Sequence, residues 1–139
     1  VMAPVVEEFL FRGAIEGHLL RQGKKPWEAI FISALVFGLI HINPAQVPFA
    51  FAIGLVFGWL YYRTGSMVPS ILGHFINNSI ACIQMATLSK EELHTKTADM
   101  IGQEATLALF LASFIVMAGL FLYMKKHLPE APEYKEEII

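Results

Sequence analysis

The sequence predicts an all-α protein, a polytopic transmembrane helix bundle with about five membrane helices. Hydrophobic residues make up 55% of the 139 residues, charged residues 16%, and the mean hydropathy is +0.54. Residues 105–124 contain no charged side chain, and about 20 helical residues are enough to cross the hydrocarbon core. Because lipid offers no partners to the backbone of an open strand, the other apolar segments are also predicted as helices.

Five apolar segments follow one another along the chain, at 1–20, 27–41, 47–62, 67–86 and 105–124. The breaks between them contain glycine, proline or charged residues, at 21–26, 43–44, 63–66 and 89–104. Lysine and arginine occur in the first and third breaks and at Lys125–Lys126, whereas the second break has neither and the fourth has two lysines against four acidic residues. The positive-inside rule therefore places the first and third breaks and Lys125–Lys126 in the cytoplasm. This alternation predicts five successive crossings.

The domain organisation follows from the same pattern. Residues 1–128 are predicted to form one membrane core, and residues 129–139 a short acidic cytoplasmic tail without ordered structure. The chain opens directly in apolar sequence, so we expect it to be an excerpt of a longer protein with further helices before it. A net charge of -2 without a basic tract argues against nucleic acid as a partner. The compact loops favour a prokaryotic plasma membrane.

Three charged residues, Glu7, Glu8 and Arg12, lie inside the first apolar segment. A charge at the bilayer centre costs roughly 2.5 to 3.5 kcal/mol on insertion scales, so each needs a partner, water or a function. Glu8 and Arg12 stand one helical turn apart and are predicted to pair, and Glu16 continues their stripe. Glu7 lies about 100° away from Glu8 on the helix and must find its partner on another segment.

Two later segments offer partners for Glu7. His74 and Asn78 stand one turn apart on a common face, from which Asn77 is expected to turn away. On the second segment, Phe37 lies one turn before His41 and is expected to form an apolar floor for its ring.

The depth of these groups in the bilayer can be counted from the cytoplasmic breaks. The count gives about 21 Å for Glu7, about 21 Å for His41 and about 16 Å for His74. The three side chains therefore fit one layer, at mid-membrane or slightly toward the outer side. A desolvated carboxylate with two imidazoles and an amide is suited to activating water for hydrolysis.

The three motifs together carry a family resemblance. E-E-x-x-x-R at 7–12, F-x-x-x-H at 37–41 and H-x-x-x-N at 74–78 occur in this order on successive hydrophobic segments. In this the sequence resembles the CPBP family, the CAAX protease and bacteriocin-processing (Abi) family of intramembrane endopeptidases, over about residues 1–86. The family includes the eukaryotic Ras-converting prenyl-protein protease.

The resemblance implies a role for each matching residue. Glu7 would activate the attacking water, which His41 would help to hold. His74 and Asn78 would stabilise the oxyanion that develops on the scissile carbonyl. The supporting residues would be Glu8, Arg12 and Phe37. The expected partners are the lipid bilayer and a membrane-embedded or lipidated peptide: a prenylated C-terminus, a leader peptide or a membrane precursor.

Metal dependence stays open on the residues alone. Glu7, His41 and His74 could form a two-histidine, one-carboxylate zinc site with a position left for water. No H-E-x-x-H motif occurs in the sequence, so we favour a mechanism without a cofactor and keep zinc as the alternative.

Two interpretations from other functional classes also remain. In a proton-coupled or ion-coupled transporter segment, the buried carboxylate and histidines would relay protons or bind a cation. In a non-catalytic membrane scaffold or bacteriocin-immunity protein, they would serve the architecture alone. Neither a second, related half of the chain nor a repeat is visible to favour transport.

Overall fold

The computed structural model describes residues 2–41, 43–44, 46–89, 99 and 102–134. Within these ranges every regular element is a helix, which confirms the predicted all-α class. Most of the predicted polar loop at 89–104 lies outside the described residues.

The helices follow the predicted segments closely. The first runs without interruption through α1 (Met2–Glu8), a π-helical segment (Phe9–Glu16) and α2 (Gly17–Arg21). It is followed by α3 (Pro26–Leu39), α4 (Val47–Thr64), α5 (Val68–Thr87) and α6 (Gln103–His127). Each boundary differs from the predicted one by at most three residues.

Proline and glycine account for several of these boundaries. Pro26 and Pro48 occupy the first turns of α3 and α4, where a missing N–H costs no helical hydrogen bond. Gly65 ends α4 with a φ of 64°, and its N–H donates to the carbonyl of Tyr61 at 2.8 Å. A left-handed residue at this position satisfies an end carbonyl and favours glycine.

The π-helical segment was not predicted. It begins directly after the two glutamates, and the N–H of Gly17 donates to the carbonyl of Arg12, five residues earlier. Such wide turns are rare and are often found at functional sites, because they change the direction in which nearby side chains project.

The chain divides into two compact units, of which the first comprises residues 1–78 and 129–139. Its apolar core includes Phe11, Phe37 and Ala50. Its fully buried polar side chains are Glu8, Arg12, Glu16, Ser33 and Ser70. Outward-facing Phe9 and Leu39 are instead 55% and 63% exposed. Charges inside and apolar side chains outside are the arrangement that a bilayer, as solvent, favours.

The second unit comprises Ser79–Leu128 and contains α6. None of the 25 residues of α6, all of which the structure describes, is buried. Among the described helices, α6 is the one that is long and apolar enough to cross a membrane, while α3, with 14 residues, is a shorter apolar helix. The remaining four crossings stay a prediction.

The described part of the tail, residues 129–134, contacts α4, and the expectation of a disordered end stays a prediction. Arg63 Nε donates to the carbonyl of Pro129 at 3.1 Å. The Tyr134 hydroxyl donates to the carbonyls of Tyr61 and Tyr62, each at 3.2 Å, and its ring stacks on that of Tyr62. Burial raises the pKa of the Tyr134 phenol, which keeps this donor protonated. Tyr134 thus joins the described part of the tail to α4.

Candidate active site

A buried ion pair forms the centre of the site. Arg12 Nε lies 3.0 Å from Glu8 Oε2, and both side chains are fully buried, which confirms the predicted pair. Arg12 Nη1 donates to Ser33 Oγ at 3.1 Å, and this hydroxyl donates to the carbonyl of Phe11 at 2.8 Å. The guanidinium is therefore fixed from two sides, which reduces the cost of burying both charges.

His74 contacts both glutamates of the first motif. Its Nδ1 lies 3.0 Å from Glu8 Oε1, and its Nε2 lies 3.6 Å from Glu7 Oε2. Glu8 pairs with Arg12 as a carboxylate, and a carboxylate only accepts hydrogen bonds. His74 Nδ1 must therefore carry the hydrogen that it donates to Glu8. The second ring nitrogen is thereby directed at Glu7.

Glu7 and Glu8 are neighbours in sequence but differ in environment. The Glu7 side chain is 31% exposed, whereas that of Glu8 is fully buried. The Glu7 contact with His74 confirms that its partner lies on another helix, and its 3.6 Å length exceeds that of a hydrogen bond. Of the two glutamates, Glu7 is therefore the one whose carboxylate has room to bind water.

His41 lies two residues past the end of α3 and is half-buried. Its Nδ1 lies 2.9 Å from the carbonyl of Phe37 and must donate, because a carbonyl only accepts. In the neutral ring Nε2 then keeps its lone pair. The Phe37 ring makes edge contacts with both His41, at 5.1 Å, and His74, at 5.5 Å. The predicted apolar floor is present and is shared by two histidines.

Asn78 lies half-buried on α5, one turn after His74. The Asn77 side chain contacts that of Asn78, with its Nδ2 3.4 Å from Asn78 Oδ1. Adjacent helical residues diverge by about 100°, but two amide side chains are long enough to meet across that angle. Because Asn78 accepts through its oxygen here, its own NH₂ group is left to donate elsewhere.

Three further residues support the site and were missed from the sequence. The Phe57 ring stacks on the His74 ring with the centroids 5.8 Å apart, and the Arg12 guanidinium lies 6.0 Å from the centroid of the Phe57 ring. Ser70 Oγ donates to the carbonyl of Phe57 at 2.9 Å, while Ser33 holds Arg12. Ser33 is the single serine of the apolar helix α3, which is a sequence signal, whereas Ser70 shares α5 with Ser79 and has no such signal. Nothing distinguishes Phe57 among 11 phenylalanines.

The zinc alternative concerns the placement of Glu7, His41 and His74. Within the part of the chain that the structure describes, no three His, Cys, Asp or Glu side chains converge on a point that could hold a metal ion. Glu7, His41 and His74 are thus not brought together as a ligand set, and His74 Nδ1 is engaged by Glu8. Metal dependence therefore stays a prediction.

Comparison with known proteins identifies the family. The model of the Type II CAAX prenyl endopeptidase Rce1-like family matches residues 1–80, the stretch that holds all three motifs. The chain belongs to this family. The membership confirms the resemblance to CAAX proteases and relates the chain to membrane peptidases, a class of hydrolases.

Two bacterial proteins illustrate the relationship. The chain is 26% identical over 100 residues to the putative membrane peptidase YdiL of Bacillus subtilis (strain 168), over 72% of the chain and 41% of YdiL. It is 30% identical over 88 residues to the membrane-embedded CAAX protease MroQ of Staphylococcus aureus (strain USA300), over 60% of the chain and 36% of MroQ. The matches thus span about two fifths of each relative. No solved structure matches the chain.

Proposed function

We propose that this Rce1-like chain forms the catalytic core of an intramembrane endopeptidase in which Glu7 activates water. The observation that carries the proposal is the placement of His74 between two unlike carboxylates. Glu8 is fully buried and engaged by Arg12, whereas Glu7 is 31% exposed and 3.6 Å from the second ring nitrogen. One carboxylate holds the histidine, and the other stays available to a reactant.

The first step is the attack of water. The Glu7 carboxylate accepts a proton from the water while the water oxygen forms a bond to the carbonyl carbon of the scissile peptide. His41 orients this water through the lone pair on Nε2, a pair that the hydrogen bond of Nδ1 to Phe37 leaves available. The product is a tetrahedral intermediate with a negatively charged oxygen.

The second step is collapse of the intermediate. In the cationic form of His74 both ring nitrogens carry a hydrogen, so that Nδ1 donates to Glu8 while Nε2 can donate to a reactant. The oxyanion accepts hydrogen bonds from this Nε2–H and from the Asn78 amide. The C–N bond then breaks, and the protonated Glu7 returns its proton to the departing amine. Protons balance over the two steps, and Glu7 is regenerated.

The proposed substrate is a membrane-embedded or lipidated peptide, and a prenylated CAAX-type C-terminus is the first to test. This choice is supported by the family description and by the name of MroQ, a CAAX protease. Leader peptides and membrane precursors are the further candidates. The proposed location is a multi-pass position in a prokaryotic plasma membrane, which agrees with the bacterial sources of both relatives.

The test is cleavage in liposomes by the full-length protein, given a prenylated CAAX peptide and a panel of membrane-anchored peptides. Glu7→Gln keeps the size of the side chain but removes the base, and we expect the rate to fall by about a hundredfold to ten-thousandfold. Glu28→Gln is the matched control, because Glu28 is an exposed carboxylate in the first turn of α3. It should cleave at the wild-type rate.

A zinc chelator provides the second arm of the test. Wild-type cleavage that survives chelation and is lost in Glu7→Gln supports glutamate-activated water. Loss of wild-type cleavage on chelation, with recovery on adding zinc, would overturn the metal-free mechanism. Equal cleavage by wild type and Glu7→Gln would show that Glu7 is structural.

A further inference from the structure

A second buried carboxylate, Glu16, lies outside the proposed reaction. It is fully buried, one turn beyond Arg12 on the stripe that begins at Glu8, and interacts electrostatically with Arg12. Within the described residues, neither of its carboxylate oxygens has a hydrogen-bond partner. The same holds for Nη2 of Arg12, and also for Arg12 Nε and Glu8 Oε2, which lie 3.0 Å apart as an ion pair without a hydrogen bond.

Gly58 on α4 makes room for this carboxylate. A Cβ placed on Gly58 would lie 2.7 Å from Glu16 Oε2 and 3.0 Å from Ile30 Cγ2. Gly54, one turn earlier, has a different role, since its Cβ would meet the Cα of Ala34 on α3 at 3.2 Å. Gly54 thus lets α3 and α4 approach each other, and Gly58 accommodates the Glu16 carboxylate.

Unpaired polar atoms at full burial are costly, so an unpaired donor and an unpaired acceptor on two residues that interact electrostatically point to a shared ligand. A water molecule can donate to Glu16 and accept from Arg12 Nη2 at once, and buried waters characteristically satisfy such groups. Arg12 would then be held on three sides: by Glu8 at Nε, by Ser33 at Nη1, and by Glu16 through water at Nη2.

We propose that Glu16 is a positioning residue for peptide hydrolysis, which acts on His74 through a bridging water, Arg12 and Glu8. The chain of contacts is continuous, since Arg12 fixes Glu8 and Glu8 fixes Nδ1 of His74. The catalytic part of this proposal rests on the proposed endopeptidase function. Its structural part, the control of the His74 ring, can be measured without substrate.

The experiment compares wild type, Glu16→Ala, Glu16→Gln and the control Glu28→Ala in the full-length protein. The ¹⁵N resonances of the His74 ring are recorded in detergent micelles and assigned by their loss in His74→Gln, and kcat and KM are measured in liposomes. We expect Glu16→Ala to shift the His74 resonances and to lower kcat by about tenfold to a hundredfold with KM within about twofold. Glu16→Gln, whose amide still accepts from water, should restore both, and Glu28→Ala should change neither.

Gly58→Ala is a second variant that keeps the carboxylate but displaces it, and it should shift the same His74 resonances if Glu16→Ala fails to fold. His74 resonances that stay at their wild-type positions in whichever of these two variants folds would overturn the proposal. So would a shift in Glu16→Gln as large as in Glu16→Ala. If the wild type cleaves no peptide, the endopeptidase function fails, while the resonances still decide whether Glu16 positions His74.

Discussion

The polar interior of the first unit and the helix α6 of the second differ in almost every property. The interior holds a buried arginine, two fully buried glutamates and a buried histidine, on helices whose outward faces are apolar. α6 has no buried side chain and no charge between residues 105 and 124. The hydropathy pattern that identifies a membrane span selects α6 and passes over the helices that carry the site. Buried charges lower the hydropathy of a segment, so the helix that carries Glu8, Arg12 and Glu16 gives a weaker membrane signal than α6.

Removal of the buried cation of the first unit should have the largest effect on stability. Arg12→Gln leaves Glu8 and Glu16 buried without their positive partner, and we expect it to lower the free energy of unfolding by about 3 to 5 kcal/mol. Lys24→Gln, on the exposed connection between α2 and α3, should change it by less than about 0.5 kcal/mol. Unfolding of both variants in detergent micelles provides the measurement. Equal stability of the two would mean that the buried ion pair contributes nothing to the fold.

A charge introduced into α6 tests the other side of the comparison. Phe114→Lys places an ammonium in the middle of the helix, where insertion scales give a cost of about 2.5 to 3.5 kcal/mol. Gln103→Lys, at the first residue of α6, should cost little because its side chain can reach the interface. Membrane insertion of the two variants can be compared in microsomes. Equal insertion would argue against α6 as a lipid-facing span.

Two glycines give the smallest predicted effect. A Cβ on Gly54 would meet the backbone of α3 at 3.2 Å, so Gly54→Ala should destabilise by about 1 to 3 kcal/mol. Nothing lies within 4 Å of a Cβ on Gly119 in α6, and Gly119→Ala should stabilise by up to about 1 kcal/mol through helix propensity. In thermal unfolding, we expect Gly54→Ala to lower the unfolding midpoint and Gly119→Ala to raise it. The same sign for both would remove this distinction between the two regions.

Much of the fold and part of the site could be predicted from the sequence. Helix boundaries follow from proline, glycine and charge, and the Glu8–Arg12 pair follows from helical spacing. Spacing also predicts that Phe37 contacts His41. These features are local, so a short stretch of sequence determines them.

The remaining features depend on which helices meet. Ser33 reaches Arg12 across 21 residues of sequence, and Glu8 meets His74 across 66. The contact of Phe57 with His74 and that of Tyr134 with Tyr61 also join residues that are distant in sequence. The π-helical turn after Glu8 has no sequence signal that separates it from an α-helix. Helix propensity and hydrophobic periodicity do not predict which helices contact one another.

The central claim is that Glu7 reacts while Glu8 supports, and one paired measurement tests it directly. The cleavage rate and the unfolding midpoint are determined on the same samples of Glu7→Gln and Glu8→Gln. We predict that Glu7→Gln loses cleavage at an unchanged midpoint, because its side chain is partly exposed and outside the ion pair. Glu8→Gln should lower the midpoint, since it removes the charge that pairs with Arg12. A Glu7→Gln variant that cleaves at the wild-type rate, or that unfolds as readily as Glu8→Gln, would contradict the claim.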